Sequence, residues 1–314
     1  MYFLKRLSTF FSVQYNTVKY KIRLRAGKWG VHMNVRLTTL CDNTAGVIGF
    51  TGEWGLSILV EARGEKVLLD AGFGDAVVKN ADIAGVNLSG VDKIVLSHGH
   101  LDHAGGLTPL LQRMGKKTTV YAHPGVWGEK YLHVKPPGGG AGNYRFIGIP
   151  QRRETLESLG ANFSYDRFPV WLNDQIVITG EVPMVTLFES VDDNMFIKTE
   201  TGYELDHLLD DQALVIKSGR GLVVVLGCAH RGAVNTVLHA KTITGVDRVH
   251  AVVGGTHLLR AGDERISQTI AALRELGVEK LGVSHCTGLP AAAVMAREFG
   301  SDFFFNSAGT VIEF

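Results

Sequence analysis

Residues 97–106 read Ser-His-Gly-His-Leu-Asp-His-Ala-Gly-Gly, so three imidazoles and one carboxylate (His98, His100, Asp102 and His103) fall within six positions. Zinc, manganese and iron accept these side chains as ligands. The cluster directly follows the apolar run 91–96, Val-Asp-Lys-Ile-Val-Leu, which reads as a strand covered on both faces. A loop leaving such a strand and closing on glycine turns tightly enough to aim several side chains at one point. Structural zinc sites favour cysteine, and this cluster has none. It therefore predicts an open, catalytic site in which a bound metal lowers the pKa of water from ~15.7 to ~7 and supplies hydroxide as nucleophile.

Three later segments carry further candidates: Gly227-Cys228-Ala229-His230-Arg231-Gly232, Gly254-Gly255-Thr256-His257-Leu258 and Ser284-His285-Cys286-Thr287-Gly288. Each histidine follows an apolar run, and strand ends in one sheet can converge although they are far apart in sequence. The expected metal ligands are His98, His100, Asp102, His103, His230, His257 and His285. They would hold one or two divalent transition metals per chain, zinc first, with manganese or iron as alternatives. Asp102, His230 and Arg231 are expected to act in catalysis, Asp102 by handing a proton to the leaving group. Arg231 and the backbone amides of Thr287 and Gly288, ahead of the last helical pattern, are expected to receive an anionic group. Cys228 reads as a small residue filling a strand end rather than as a thiolate ligand. His207, His239 and His250 lie in helical or loop contexts, and His32, His123 and His133 stand alone, so these six are left out of the site.

The elements that must position these residues are legible as an alternation. From residue 33 onward, β-branched runs alternate with helical patterns and glycine marks the passages, which is an α/β chain. A hairpin is expected at 56–61 and 66–69 around Gly64. Further strands are expected at 118–122, 174–179, 212–217, 221–226, 248–253 and 280–283, and helices at 106–113, 151–159, 233–240, 265–276 and 291–299. Two stretches, 133–143 and 189–209, lack periodicity and read as long loops, either functional lids or mobile insertions, with a plain solvated excursion as the alternative for the first.

The chain has 314 residues, 45% hydrophobic, enough for a large core, with 32 Lys and Arg against 31 Asp and Glu. That balance gives no support to nucleic-acid binding. Seven of the bases and none of the acids lie in residues 1–32. This basic arm reads as a start placed too early, since Met33 stands one residue ahead of the strand-like Val-Arg-Leu-Thr-Thr-Leu, or as a targeting segment. Residues 33–314 are then one domain. The apolar runs of the arm are too short to span a membrane. Three scattered cysteines, Cys41, Cys228 and Cys286, suggest a reducing, cytoplasmic setting.

The pattern His-x-His-x-Asp-His after a buried strand resembles the metal-binding signature of the metallo-β-lactamase superfamily, and the resemblance extends over roughly 33–314. It implies a four-layer αββα sandwich with the site at one edge. It also implies one metal on His98 and His100, a second on Asp102, His103 and His285, and Asp70 supporting a ligand histidine. The common pattern has a Gly-Asp bridging the metals; here Gly227-Cys228 stands in that place, with Glu181 or Asp210-Asp211 as candidate substitutes upstream. Together with Thr179-Gly180-Glu181-Val182-Pro183 and Asp210-Asp211-Gln212-Ala213-Leu214, the three histidine blocks resemble the dihydropterin synthase-like branch. The implied function is a metal-dependent hydrolase of small, anionic phosphorylated or ester substrates. The alternatives are a pterin-related synthase displacing pyrophosphate, a di-iron redox protein, or a non-catalytic metal-binding module.

Overall fold

Val223 and Val225 face one side of their strand while Leu222, Val224 and Leu226 face the other, and all five are buried. Side chains alternate along a strand, so an unbroken apolar run means cover on both faces. The computed structural model describes residues 35–136, 138–140 and 142–314. The expectations for the basic arm at 1–32, and for His32, concern residues outside that set.

Among the described residues, the first of two seven-stranded sheets runs, in spatial order, Val311–Glu313, Arg36–Cys41, Ser57–Ala62, Glu65–Leu69, Lys93–Val95, Thr118–Ala122 and Ala161–Tyr165. The second runs Phe303–Phe305, Lys280–Ser284, Val249–Gly255, Gly221–Leu226, Ala213–Ser218, Ile176–Ile178 and Val170–Trp171. Ile58, Val60 and Leu69 of the first sheet share one core with Ile178, Leu214 and Val225 of the second, so the sheets lie face to face. Helices Ala233–Thr244, Asp263–Glu275 and Leu289–Phe299 cover the outer face of the second sheet through Val237, Leu273 and Met295. Helices Ala76–Ala84 and Leu107–Met114 cover the first through Val77, Leu110 and Leu111. Burying each such side chain stabilises the fold by roughly 1.5–3 kcal/mol. The result is the expected four-layer αββα sandwich. Helix Ala76–Ala84 was not among the expected elements.

Register brings the chemistry together. In the second sheet Leu226 pairs with Gly254 and Gly255 with Ser284, all in parallel strands. The residues just past these ends therefore emerge side by side, which is why Cys228, His257 and His285 meet despite their separation in sequence.

The two expected loops are a correction. Segments Gly202–Leu205, Met195–Thr199, Lys130–Val134 and Asn143–Phe146 form a four-stranded antiparallel sheet that leans over the site. One face stacks aromatic rings: Tyr144 lies on Tyr203 with centroids 3.7 Å apart and planes within 3°. On the other face Lys130 is buried against Asp206 and Asp210. These are two short hairpins whose central strands pair across more than sixty residues of sequence, and strands this short leave little local periodic signal.

Candidate metal centre

Four parts of the chain meet at one edge of the sandwich. His98 and His100 leave the strand Lys93–Val95, and His230 leaves Gly221–Leu226. His98 Nε2 lies 2.9 Å from His100 Nδ1 and 3.1 Å from His230 Nε2. Three buried ring nitrogens facing one another cannot all be satisfied as donors, whereas one cation accepts all three lone pairs. Ligands about 2 Å from a tetrahedral ion stand roughly 3.3 Å apart, so the spacing suits a divalent transition metal. Burial is the main force holding His98, His100 and His230 below the ordinary histidine pKa, with neighbouring cationic groups adding to it. Neutral imidazoles are the form that ligates.

A second group lies beside the first. His103 Nε2 is 3.2 Å from His285 Nε2 and 3.1 Å from Cys228 Sγ, and His285 Nε2 is 3.3 Å from Asp102 Oδ2. The other ring nitrogens are held from behind: His103 Nδ1 is 2.7 Å from Asp70 Oδ2 and His285 Nδ1 is 2.8 Å from Asn43 Oδ1. Each outer nitrogen donates to its oxygen, which turns the Nε2 lone pair inward. Burial would lower the His103 pKa, but the Asp70 carboxylate pushes it up to about 9. Asp70 is fixed in turn by Ser97, whose amide and hydroxyl donate to its two oxygens at 2.7 Å each. Gly227 is required by this packing, because a Cβ there would stand 2.1 Å from Ser97 Oγ.

The backbone is strained where the ligands emerge. Asp70, Ala229, His257 and His285 all have φ between 50 and 61°, the left-handed region that non-glycine residues rarely occupy. Such strain persists only where surrounding structure over-determines it, and it concentrates at functional sites.

The sequence profile of the Metallo-beta-lactamase superfamily matches residues 54–251. The chain belongs to this superfamily. It is 33% identical over 292 residues to the 7,8-dihydropterin-6-methyl-4-(beta-D-ribofuranosyl)-aminobenzene-5'-phosphate synthase of Methanocaldococcus jannaschii, a match spanning 90% of this chain and 97% of the relative. That similarity puts it in the dihydropterin synthase-like branch. The crystal structure of Tm1679, described as a metal-dependent hydrolase of the beta-lactamase superfamily, superposes with a TM-score of 0.76 at 30% identity, covering 89% of this chain and 99% of that one. Ribonuclease Z of Methanopyrus kandleri is 38% identical over 81 residues, which is 24% of this chain.

Against the superfamily pattern, the described residues bring His98, His100, Asp102, His103, His230, His257 and His285 to one site. His230 completes the first group with His98 and His100. The His257 ring lies tilted against that of His230, with centroids 4.0 Å apart and planes inclined by 50°, and it bonds Asp192 Oδ2 through Nε2 at 3.1 Å.

Several expectations need correcting. Cys228, read as a filler, has its thiol within ligand distance of His98 and His103. The strand end that carries it resembles any buried Gly-Cys in sequence, and only the superfamily's Gly-Asp at that place hinted at a ligand. Glu181 is no substitute for the bridging acid, because its carboxylate is tied to His123 at 3.0 Å and Arg167 at 2.7 Å. Asp210 accepts the Gly99 amide and Asp211 accepts the Arg231 amide, so both are scaffolding for the ligand loops. Arg231 does not line the cavity over the site; its guanidinium donates to Val182 O and His207 O, both at 2.6 Å. Burial pushes the Asp102 carboxyl up, yet His285, His103 and His100 hold it well below the usual carboxylate range. At rest Asp102 is therefore an acceptor, and a proton that it hands on must first reach it from another group. Thr287 Oγ1 accepts the Thr256 amide and hydroxyl.

Both ligand groups open onto a cavity of about 440 Å3. Trp54, Phe73, Leu132, Ile147, Met195 and Leu259 supply apolar walls, the leaning sheet adds Arg145, and Arg260 lines the same cavity. These two arginines, missed in the sequence, supply the positive charge expected of Arg231. Among the described residues, no helix is long and apolar enough to cross a membrane.

Proposed function

We propose that the protein is a metal-dependent hydrolase of small, anionic phosphorylated or ester substrates. The observation that carries this reading is the opening of two adjacent ligand groups onto one cavity with apolar walls and two arginines. His98, His100 and His230 would hold one divalent transition metal, and Asp102, His103 and His285 a second, with Cys228 between them; zinc suits this mixed nitrogen, oxygen and sulfur set. When bound, such an ion acidifies water toward neutral pH and polarises a phosphoryl or carbonyl oxygen. Asp70 and Asn43 hold the tautomers of His103 and His285. Trp54 Nε1 donates to Asp102 Oδ2 at 3.1 Å, which orients the carboxylate as an acceptor at the cavity floor. Arg145 and Arg260 bind the anionic group, and the apolar walls take the remainder of the molecule and limit water.

The unit proposed for this activity is residues 33–314, and the three buried free thiols suit a reducing, cytoplasmic setting. A walled cavity suits a small molecule rather than RNA. A second reading, a synthase that displaces pyrophosphate, is favoured by the 33% identity across 97% of a synthase. In that reading the same arginines would hold the leaving pyrophosphate.

The test compares metal-loaded wild type with His98→Ala on phosphodiester, lactone and thioester probes, and separately on a dihydropterin pyrophosphate mixed with an aminobenzene ribosyl phosphate. Hydrolysis without any acceptor, reduced at least ~100-fold in the variant, is expected. Turnover only when the acceptor is present establishes the synthase instead, and no turnover in either assay overturns both readings.

A further inference from the structure

Beside the two groups already described lies a third, built from Cys228, His257 and Cys286, whose ligand atoms all stand within 4.8 Å of one another. The three residues come from the ends of three adjacent strands and all line the cavity. We propose that they form a separate, sulfur-rich position for a thiophilic transition metal ion, with its open face toward the cavity. The proposal builds on the metal-centre reading through the shared Cys228, and it adds Cys286, which that reading does not use.

His257 is prepared as a ligand. Its Nε2 is committed to Asp192 Oδ2 at 3.1 Å, and its Nδ1 is buried with no hydrogen-bond partner. A carboxylate behind one ring nitrogen and a free lone pair on the other is the arrangement that ligating histidines show. A buried nitrogen with no partner is destabilising unless something accepts its lone pair. Cys286 Sγ donates weakly to Cys228 O at 3.5 Å, and its thiol also stands against the Cys228 thiol and the His257 ring.

The backbone is shaped to the same end. Gly255 leaves room for the Cys286 thiol, since a Cβ there would stand 2.6 Å from Sγ and 2.4 Å from Gly227 O. Every ligand is at or next to a residue in the left-handed region: Ala229 follows Cys228, His257 is itself one, and His285 precedes Cys286. A plain packing role for a buried cysteine demands neither the strain nor the unpaired nitrogen. Two sulfurs and one imidazole make a softer donor set than Asp102, His103 and His285, and they select for thiophilic ions such as Zn2+ over Mg2+ or Mn2+. Cys228 also belongs to the group with His98 and His103, and a thiolate can serve two ions at once.

The test uses the full chain loaded with Zn2+ or Co2+, in wild type, Cys286→Ser and His98→Ala forms. Bound metal is counted per chain, and sulfur-to-cobalt charge-transfer absorption is read in the near ultraviolet. The expected result is that Cys286→Ser loses one equivalent of ion and the larger part of the sulfur-to-cobalt intensity, while His98→Ala loses a different equivalent and keeps the larger part of that intensity. X-ray absorption at the zinc edge of the wild type needs no variant, and it should report sulfur from two cysteines. If Cys286→Ser binds as much metal with unchanged sulfur bands, or the wild type shows one sulfur only, the third position is overturned. In that event a loss of metal in His98→Ala leaves the neighbouring centre standing, whereas no loss in either variant overturns both.

Discussion

Lys130 Nζ lies 2.8 Å from Asp210 Oδ1, in a pair that is almost wholly buried. The other oxygen of Asp210 accepts the Gly99 amide at 2.8 Å, and Asp206 takes a second contact from the same ammonium at 2.6 Å. One buried lysine at the start of the leaning sheet is thereby coupled, through one carboxylate, to the loop that carries His98 and His100. The sheet that walls the cavity and the loop that floors it share a single electrostatic joint.

Replacing Lys130 by Met leaves two carboxylates buried without a counter-charge, a change that costs about 3–5 kcal/mol. Urea denaturation at pH 7 should show that loss, and an unchanged midpoint would remove the joint from the account. The flanking carboxylates outweigh burial and raise the Lys130 pKa above its ordinary 10.5. The stabilisation is therefore complete below pH 10.5 and disappears as pH rises through the elevated value. Wild type should lose stability over that alkaline window while Lys130→Met changes less.

Asp70→Asn keeps the size of the side chain but removes the charge behind His103 Nδ1 and one of the acceptors used by Ser97. Metal affinity should fall ~10–100-fold, read by competition with a coloured chelator. Affinity equal to wild type would show that Asp70 only packs.

A methyl group at position 227 would press on Ser97, 2.1 Å from its Oγ and 2.3 Å from its Cβ. Overpacking of this kind costs roughly 1–3 kcal/mol. Gly227→Ala should lower Tm and metal content together, since Ser97 immediately precedes His98. A variant that melts lower but loads metal fully would separate the fold from the site.

Arg145→Ala and Arg260→Ala should each raise KM for a phosphorylated substrate ~10-fold, equivalent to ~1.4 kcal/mol, with kcat little changed. A neutral lactone should be handled alike by wild type and both variants. Equal loss on charged and neutral substrates would show that the arginines support the walls rather than bind the anion.

Much of the sandwich was legible because its signals are local. The run Val91 to Leu96 has Ile94 and Leu96 packed under the helices and Val95 between the sheets, the two-sided burial that a continuous apolar strand implies. The strand Gly221–Leu226 coincides with its expected bounds. The leaning sheet was illegible for the opposite reason: Tyr131 opposes Phe146 on one side and Phe196 on the other, and that aromatic face exists only after distant segments pair. Arg231 misled because adjacency to His230 in sequence says nothing about direction, and the side chain turns away to Val182 and His207.

The amino-acid sequence by itself determined the layered α/β architecture and the identity of the imidazole and carboxylate cluster, because strand periodicity and dense ligand spacing are properties of neighbours along the chain. Only the tertiary structure decided which histidine completes which group, that the Cys228 and Cys286 thiols stand beside those histidines, and that Arg145 and Arg260 line the cavity. Those outcomes depend on the register between parallel strands and on the direction of each side chain at a strand end, and both are set by packing between segments far apart in sequence.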